Sequence, residues 1–192
     1  MTIRLRRTAM ILAGTLAAGT LAASGAGADG GASTGNAEEV NLKLTPSSPE
    51  LAKCMPHAKV RVEVKLTTDK IGFDFFNVEA SGLPPNTAFT VFLLEQAGAP
   101  FGAAEYIGDI TSIDDGQAQY TFHLIVQEAF SSTLVDGQRV RVDLNQVGMW
   151  FADPAADDFC LGANGPVTPF DGDNEAGVQA FNSANTTPLP AP

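Results

Sequence analysis

Residues 60–66 alternate without a break, Val60, Val62, Val64 and Leu66 against Arg61, Glu63 and Lys65. Successive side chains of an extended chain point to opposite faces, so this order puts the apolar groups on one side and the charges on the other. The segment predicts an antiparallel strand with one face on a core and the other in water. Val140, Val142 and Leu144 repeat the pattern against Arg139, Arg141, Asp143 and Asn145.

Further strands are expected at Val40–Leu44, Ile71–Ala80, Thr87–Glu95, Ala104–Thr111 and Gln117–Val126, each rich in Phe, Val, Ile, Thr or Tyr or bounded by Gly, Pro, Asn or Asp. Between them, Ser81–Asn86 contains Gly82 and two prolines, a corner suited to carry the chain from one sheet to another. Asp114, Asp115 and Gly116 form a hairpin signal, because glycine accepts the positive φ of a tight turn. Gln127–Leu134 is expected to give one or two helical turns. The fold class is all-β, an antiparallel β-sandwich of about seven strands. The phenylalanines at 73, 75 and 76 fit either a core or an exposed patch for a partner.

The chain begins with Arg4, Arg6 and Arg7, continues with apolar residues from Ala9 to Ala23, and reaches small residues at Ala26, Gly27 and Ala28. These are the three parts of a cleavable signal peptide over 1–28. The apolar stretch falls short of the roughly 20 residues a spanning helix needs. Residues 29–38 read as a flexible leader, 39–170 as the β-sandwich domain, and 171–192 as an acidic, then proline-containing, tail. The expected location is therefore secreted, with no membrane association once the signal is removed. The 192 residues carry 11 basic and 22 acidic side chains. Removing 1–28 leaves eight basic ones, so a phosphate backbone or an anionic membrane surface would be repelled.

With 44% hydrophobic residues a core must exist, and two cysteines are too few for a disulfide-dense mini-protein. In an oxidising compartment Cys54 and Cys160 are expected to pair, the alternative being free thiols or an intermolecular link. Cys54, Met55, Pro56 and His57 match a cupredoxin copper loop superficially, but the loop lies near the wrong end and no histidine precedes it. Gly31, Ala32, Ser33, Thr34 and Gly35 satisfy Gly-x-Ser-x-Gly inside the leader, where no strand-to-helix elbow is expected. His123 shares the polar register of Gln119 and Thr121, and reads as a solvated strand residue. No catalytic residue emerges from these patterns. Asp171, Asp173 and Glu175, with Asp153, Asp157 and Asp158 upstream, supply hard oxygens that calcium prefers, without the EF-hand spacing; otherwise they form a solvated acidic loop, and no cofactor is required.

Gly82, Leu83, Pro84, Pro85, Asn86, Thr87, Ala88, Phe89, Thr90 and Val91 resemble the Leu-x-Pro-x-Thr-x-Tyr-x-Val corner of fibronectin type III domains, with Phe89 in the tyrosine position. The resemblance implies an immunoglobulin/fibronectin-like sandwich. The wider pattern is similar to exported bacterial β-sandwich domains of unknown function, and transfers no catalytic residue. The function expected is a secreted, non-catalytic binding module for an extracellular protein or cell-envelope component. A carboxylate-dependent hydrolase and a carbohydrate-binding module are the alternatives. Within Gly148–Phe170, Trp150, Phe151 and Phe159 are the candidate interaction surface, or else that segment is a stapled loop packed on the core.

Overall fold

The computed structural model of the chain describes residues 38–169 and 174–190. The expected signal peptide, the leader up to residue 37, and Asp171 and Asp173 lie outside the described residues. The described strands are β1 (Glu38–Pro46), β2 (Lys59–Leu66), β3 (Asp74–Ser81), β4 (Ala88–Leu94), β5 (Ala104–Thr111), β6 (Ala118–Leu124), β7 (Phe130–Val135), β8 (Gln138–Asp143), β9 (Gln146–Phe151) and β10 (Gln179–Asn182). Short helices α1 (Pro49–Cys54), α2 (Thr68–Ile71) and α3 (Asp158–Leu161) interrupt them. No described helix is long and apolar enough to cross a membrane.

The chain is all-β and antiparallel. Eight strands form one nearly closed sheet in the order β5-β4-β9-β10-β1-β2-β3-β6, and β7-β8 form a separate hairpin. Strand β1 joins the two halves, since it pairs with β2 from Glu38 to Leu44 and with β10 at Thr45 and Pro46. At the opposite seam, Gly108 of β5 lies against Phe122 of β6, where an added Cβ would come within 2.5 Å of the ring.

The alternation read at 60–66 sets the register of the first half. Val62 faces Leu42 on one side and Val78 on the other, and Val64 faces Val40 and Phe76. This ladder packs against Phe89, Val91, Leu93, Val147, Met149 and Phe151 from the second half. The rings of Phe89 and Phe151 lie 5.0 Å apart between centroids.

Several elements depart from expectation. Residues 127–134 are not helical beyond a 3-10 turn at Val126–Glu128; β7 follows it at once. Gln146–Phe151 is a strand rather than irregular chain, because both its faces find apolar cover and no alternation marks it. The domain also continues past residue 170: within the expected tail, β10 fills the place between β9 and β1, and Leu189 is buried. The Asp114-Asp115-Gly116 turn forms, with the Gly116 N–H donating to Ile113 O, but it is no hairpin. It carries the chain from β5, paired to β4, across to β6, paired to β3. The Gly82 corner does the converse, from β3 to β4. Gly82 has φ 69°, and a Cβ there would sit 2.5 Å from His57 O.

Asp74 is a buried aspartate on the inner register of β3. Its Oδ1 accepts from the backbone N–H of Thr67 (2.7 Å) and Thr68 (2.9 Å), and its Oδ2 from that of Val126 (2.9 Å). One carboxylate thus satisfies the start of α2 and the 3-10 turn before β7.

Candidate functional site

The two halves present different outer faces. In β4 and β9 the outward residues Phe92, Leu94 and Trp150 are covered by Phe101 and Ala176, giving a second small apolar cluster. The loop 95–103 is closed by backbone bonds between Glu95 and Ala103 and between Gln96 and Phe101. Thr168 and Ala176 exchange two backbone bonds beside it. A Cβ at Gly148 would come within 2.5 Å of the Trp150 ring, so glycine is what lets this cover close.

Among the described residues, the outer face of β1, β2, β3 and β6 has no such cover. Pairing places Lys43, Arg61, Glu79 and Gln119 in one row across the four strands, and Asn41, Glu63, Asn77 and Thr121 in the next. The second row is hydrogen-bonded: Thr121 Oγ1 donates to Asn77 Oδ1 at 2.8 Å and Asn77 Nδ2 to Glu63 Oε1 at 3.3 Å. Lys65 donates to Glu63 Oε1 at 2.8 Å. That contact holds the Glu63 carboxyl below its usual range and the Lys65 ammonium above its own. Further along, His123 lies between Phe73 and Phe75, with ring centroids 4.6 and 5.2 Å away.

At the other end of this face a groove of about 400 Å³ is lined by Lys59, Arg61, Glu79, Ala80, Ser81, Gln117, Ala118 and Gln119. Ala80 and Ala118 are opposite each other in the ladder and belong to the buried core, so the outward side chains of the lining are polar or charged. Among the described residues, Lys59 and Arg61 form no ion pair. Half of the basic side chains beyond residue 28, Lys43, Lys59, Arg61 and Lys65, stand on this one face. The groove holds one carboxylate, Glu79. Its described lining offers hydrogen bonding and positive charge.

The residues singled out from sequence fall elsewhere. Cys54 and Cys160 form a disulfide, with Sγ atoms 2.04 Å apart, linking α1 to α3. The bond removes Cys54 as a thiolate ligand for copper. Trp150 and Phe151 do not share an exposed surface with Phe159: they are 4% and 0% exposed, on alternate faces of β9, while Phe159 is 56% exposed. Glu175 is exposed. Asp153 Oδ1 caps the 3-10 turn at Pro154–Asp157 through Ala155 N–H. Buried Asp157 accepts from Val178 N–H through Oδ2, and its Oδ1 has no hydrogen-bond partner among the described residues. Among the described residues, no three His, Cys, Asp or Glu side chains are grouped to hold a metal. His123 is exposed on the polar register, as its alternation predicts.

Two smaller features complete the surface. The β7-β8 hairpin exposes Phe130, Leu134, Val135 and Val140, with the Arg141 guanidinium 4.2 Å above the Phe130 ring. A narrow apolar cleft of about 140 Å³ opens beside Phe92, Phe101 and Trp150. Alternation assigned Arg61, Gln119 and His123 to polar faces, yet they reach one site only because β6 pairs with β3 out of sequence order. No known protein family matches the chain, and no curated protein is significantly similar to it.

Proposed function

We propose that the chain is a secreted, non-catalytic binding module whose ligand lies on the outer face of β1, β2, β3 and β6. The observation that carries this reading is the contrast in cover. The chain closes the outer side of β4 and β9 with its own loops, but leaves a grooved, partly cationic face open on the other half. The groove's volume is in the range of ligand sites, and its lining is mostly polar and charged, which suits a polar ligand.

Export fits the residue 1–28 pattern and is supported by the Cys54–Cys160 disulfide, since such bonds persist in oxidising compartments. Within the same reading, the nearly closed sheet is a flattened sandwich whose halves are its two layers, and the Gly82–Val91 corner is its fibronectin-like crossing.

The test is retention of cell-envelope polymers and culture-medium proteins on immobilised protein. Material retained by the native chain and lost with a Lys59→Glu/Arg61→Glu variant is the expected result. Retention indifferent to that change would move the site elsewhere, and turnover of a glycoside or ester panel would replace binding with catalysis.

A further inference from the structure

We infer that the open face takes an acidic polysaccharide, with its carboxylates on Arg61 and Lys59 and a sugar ring against Phe75. This rests on the reading of that face as the binding surface, and adds the ligand's chemical class.

Charge comes first. Arg61 stands between Lys43 and Glu79 in its row and, among the described residues, neither it nor Lys59 forms an ion pair. An unengaged guanidinium fork matches a carboxylate in two parallel hydrogen bonds. The chain's negative charge opposes any polyanion at long range. At physiological ionic strength, however, the screening length is about 8 Å, so the groove's own cations dominate at contact.

The rest of the lining separates a glycan from an acidic peptide. Gln119, Ser81 and Glu79 supply donors and acceptors together, which suits hydroxyl groups that both give and take hydrogen bonds. A peptide partner is usually held by large anchors in apolar pockets, and here the apolar lining is only Ala80 and Ala118. The aromatic end of the face completes the pattern. Phe75 lies on the same side of β3 as Glu79, four residues away and therefore about 13 Å along the strand. Its ring, beside His123, offers a π-face to the C–H side of a pyranose. A chain of sugars lying along β3 would reach both ends, whereas a single small anion would use only one.

The experiment is calorimetric titration of the full mature chain with oligogalacturonate, maltohexaose and poly-L-glutamate, at low and high salt. Oligogalacturonate should bind alone among the three and weaken with salt. Arg61→Ala should lower its affinity about tenfold, the effect of losing one charge-assisted pair. Phe75→Ala should also weaken it; if that variant unfolds, the exposed Arg61 position still decides. Equal binding of maltohexaose, or indifference to salt and to Arg61→Ala, overturns the acidic-glycan inference while leaving a binding face. Equal binding of poly-L-glutamate replaces the glycan with an acidic peptide. No binding of any probe overturns the inference, and the retention experiment above then judges the face itself.

Discussion

The two halves of the sheet solve the same problem differently. In β2 and β3, apolar residues occupy every second position and water takes the other face. In β4 and β9, residues 89–94 and 147–151 are buried on both sides, because loop 95–103 and the segment around Ala176 cover the outer face. A face that a chain covers itself is structural, and a face left open, with Lys59 and Arg61 in no ion pair among the described residues, is the one proposed for a ligand. The same substitution should therefore have opposite consequences in the two places: large for folding in one, large for binding in the other.

The bridge between α1 and α3 joins these halves, since α1 follows β1 and α3 follows β9. With the cysteines 106 positions apart, replacing both by alanine should cost roughly 4–5 kcal/mol in urea unfolding, chiefly by freeing the unfolded chain. A loss near zero would mean the halves hold together without it.

Trp150→Ala in the covered half should cost about 3–5 kcal/mol and leave the open face competent to bind. Trp150 is the sole tryptophan, so acrylamide should quench native fluorescence weakly and unfolded fluorescence strongly. Easy quenching of the native protein would show that the cover is not closed. Asp74→Ala, in the first half, should cost about 3 kcal/mol, because one buried and two part-buried backbone N–H groups lose their acceptor. Arg61→Ala, exposed on the open face, should change stability by less than about 0.5 kcal/mol. A larger loss would make Arg61 structural and blur the contrast.

The smallest effect is a pH dependence on the open face. The Lys65 contact lowers the Glu63 pKa, so its contribution is present above the ordinary carboxylate value and fades as pH falls through the lowered one. The raised Lys65 pKa gives the mirror case: its contribution holds below the ordinary ammonium value and fades as pH rises through the raised one. Melting curves of Glu63→Gln against the native chain should thus differ by a constant amount around neutrality and converge in acid and again in strong alkali. A difference that changes near neutral pH would contradict the assignment.

Legibility followed the same division. Period-two alternation located β2 and β8 and assigned His123 and Arg61 to polar faces before any pairing was known, but its expectation of a core under Val140 fails, because β8 pairs only with β7 outside the main sheet and Val140 is exposed. It failed at β9, because Gln-Val-Gly-Met-Trp-Phe is buried on both sides and has no period to read. It failed at β10, four residues between two loops, whose place beside β1 is set by tertiary pairing alone. Helix α1 was missed although Ser48 caps it, accepting from Leu51 N–H, and Pro49 starts it; this local signal was available in the sequence. The open face could not be read, because it needs β3 beside β6, and those strands are separated by the β4-β5 pair.

Chemical-shift mapping of the isotope-labelled chain during titration with oligogalacturonate addresses the contrast most directly. The account predicts shifts confined to Lys59–Lys65, Phe75–Ser81 and Gln117–His123, with the amides around Trp150 unmoved. Shifts centred on the Trp150 cover or on the β7-β8 hairpin, with the open face silent, would contradict it.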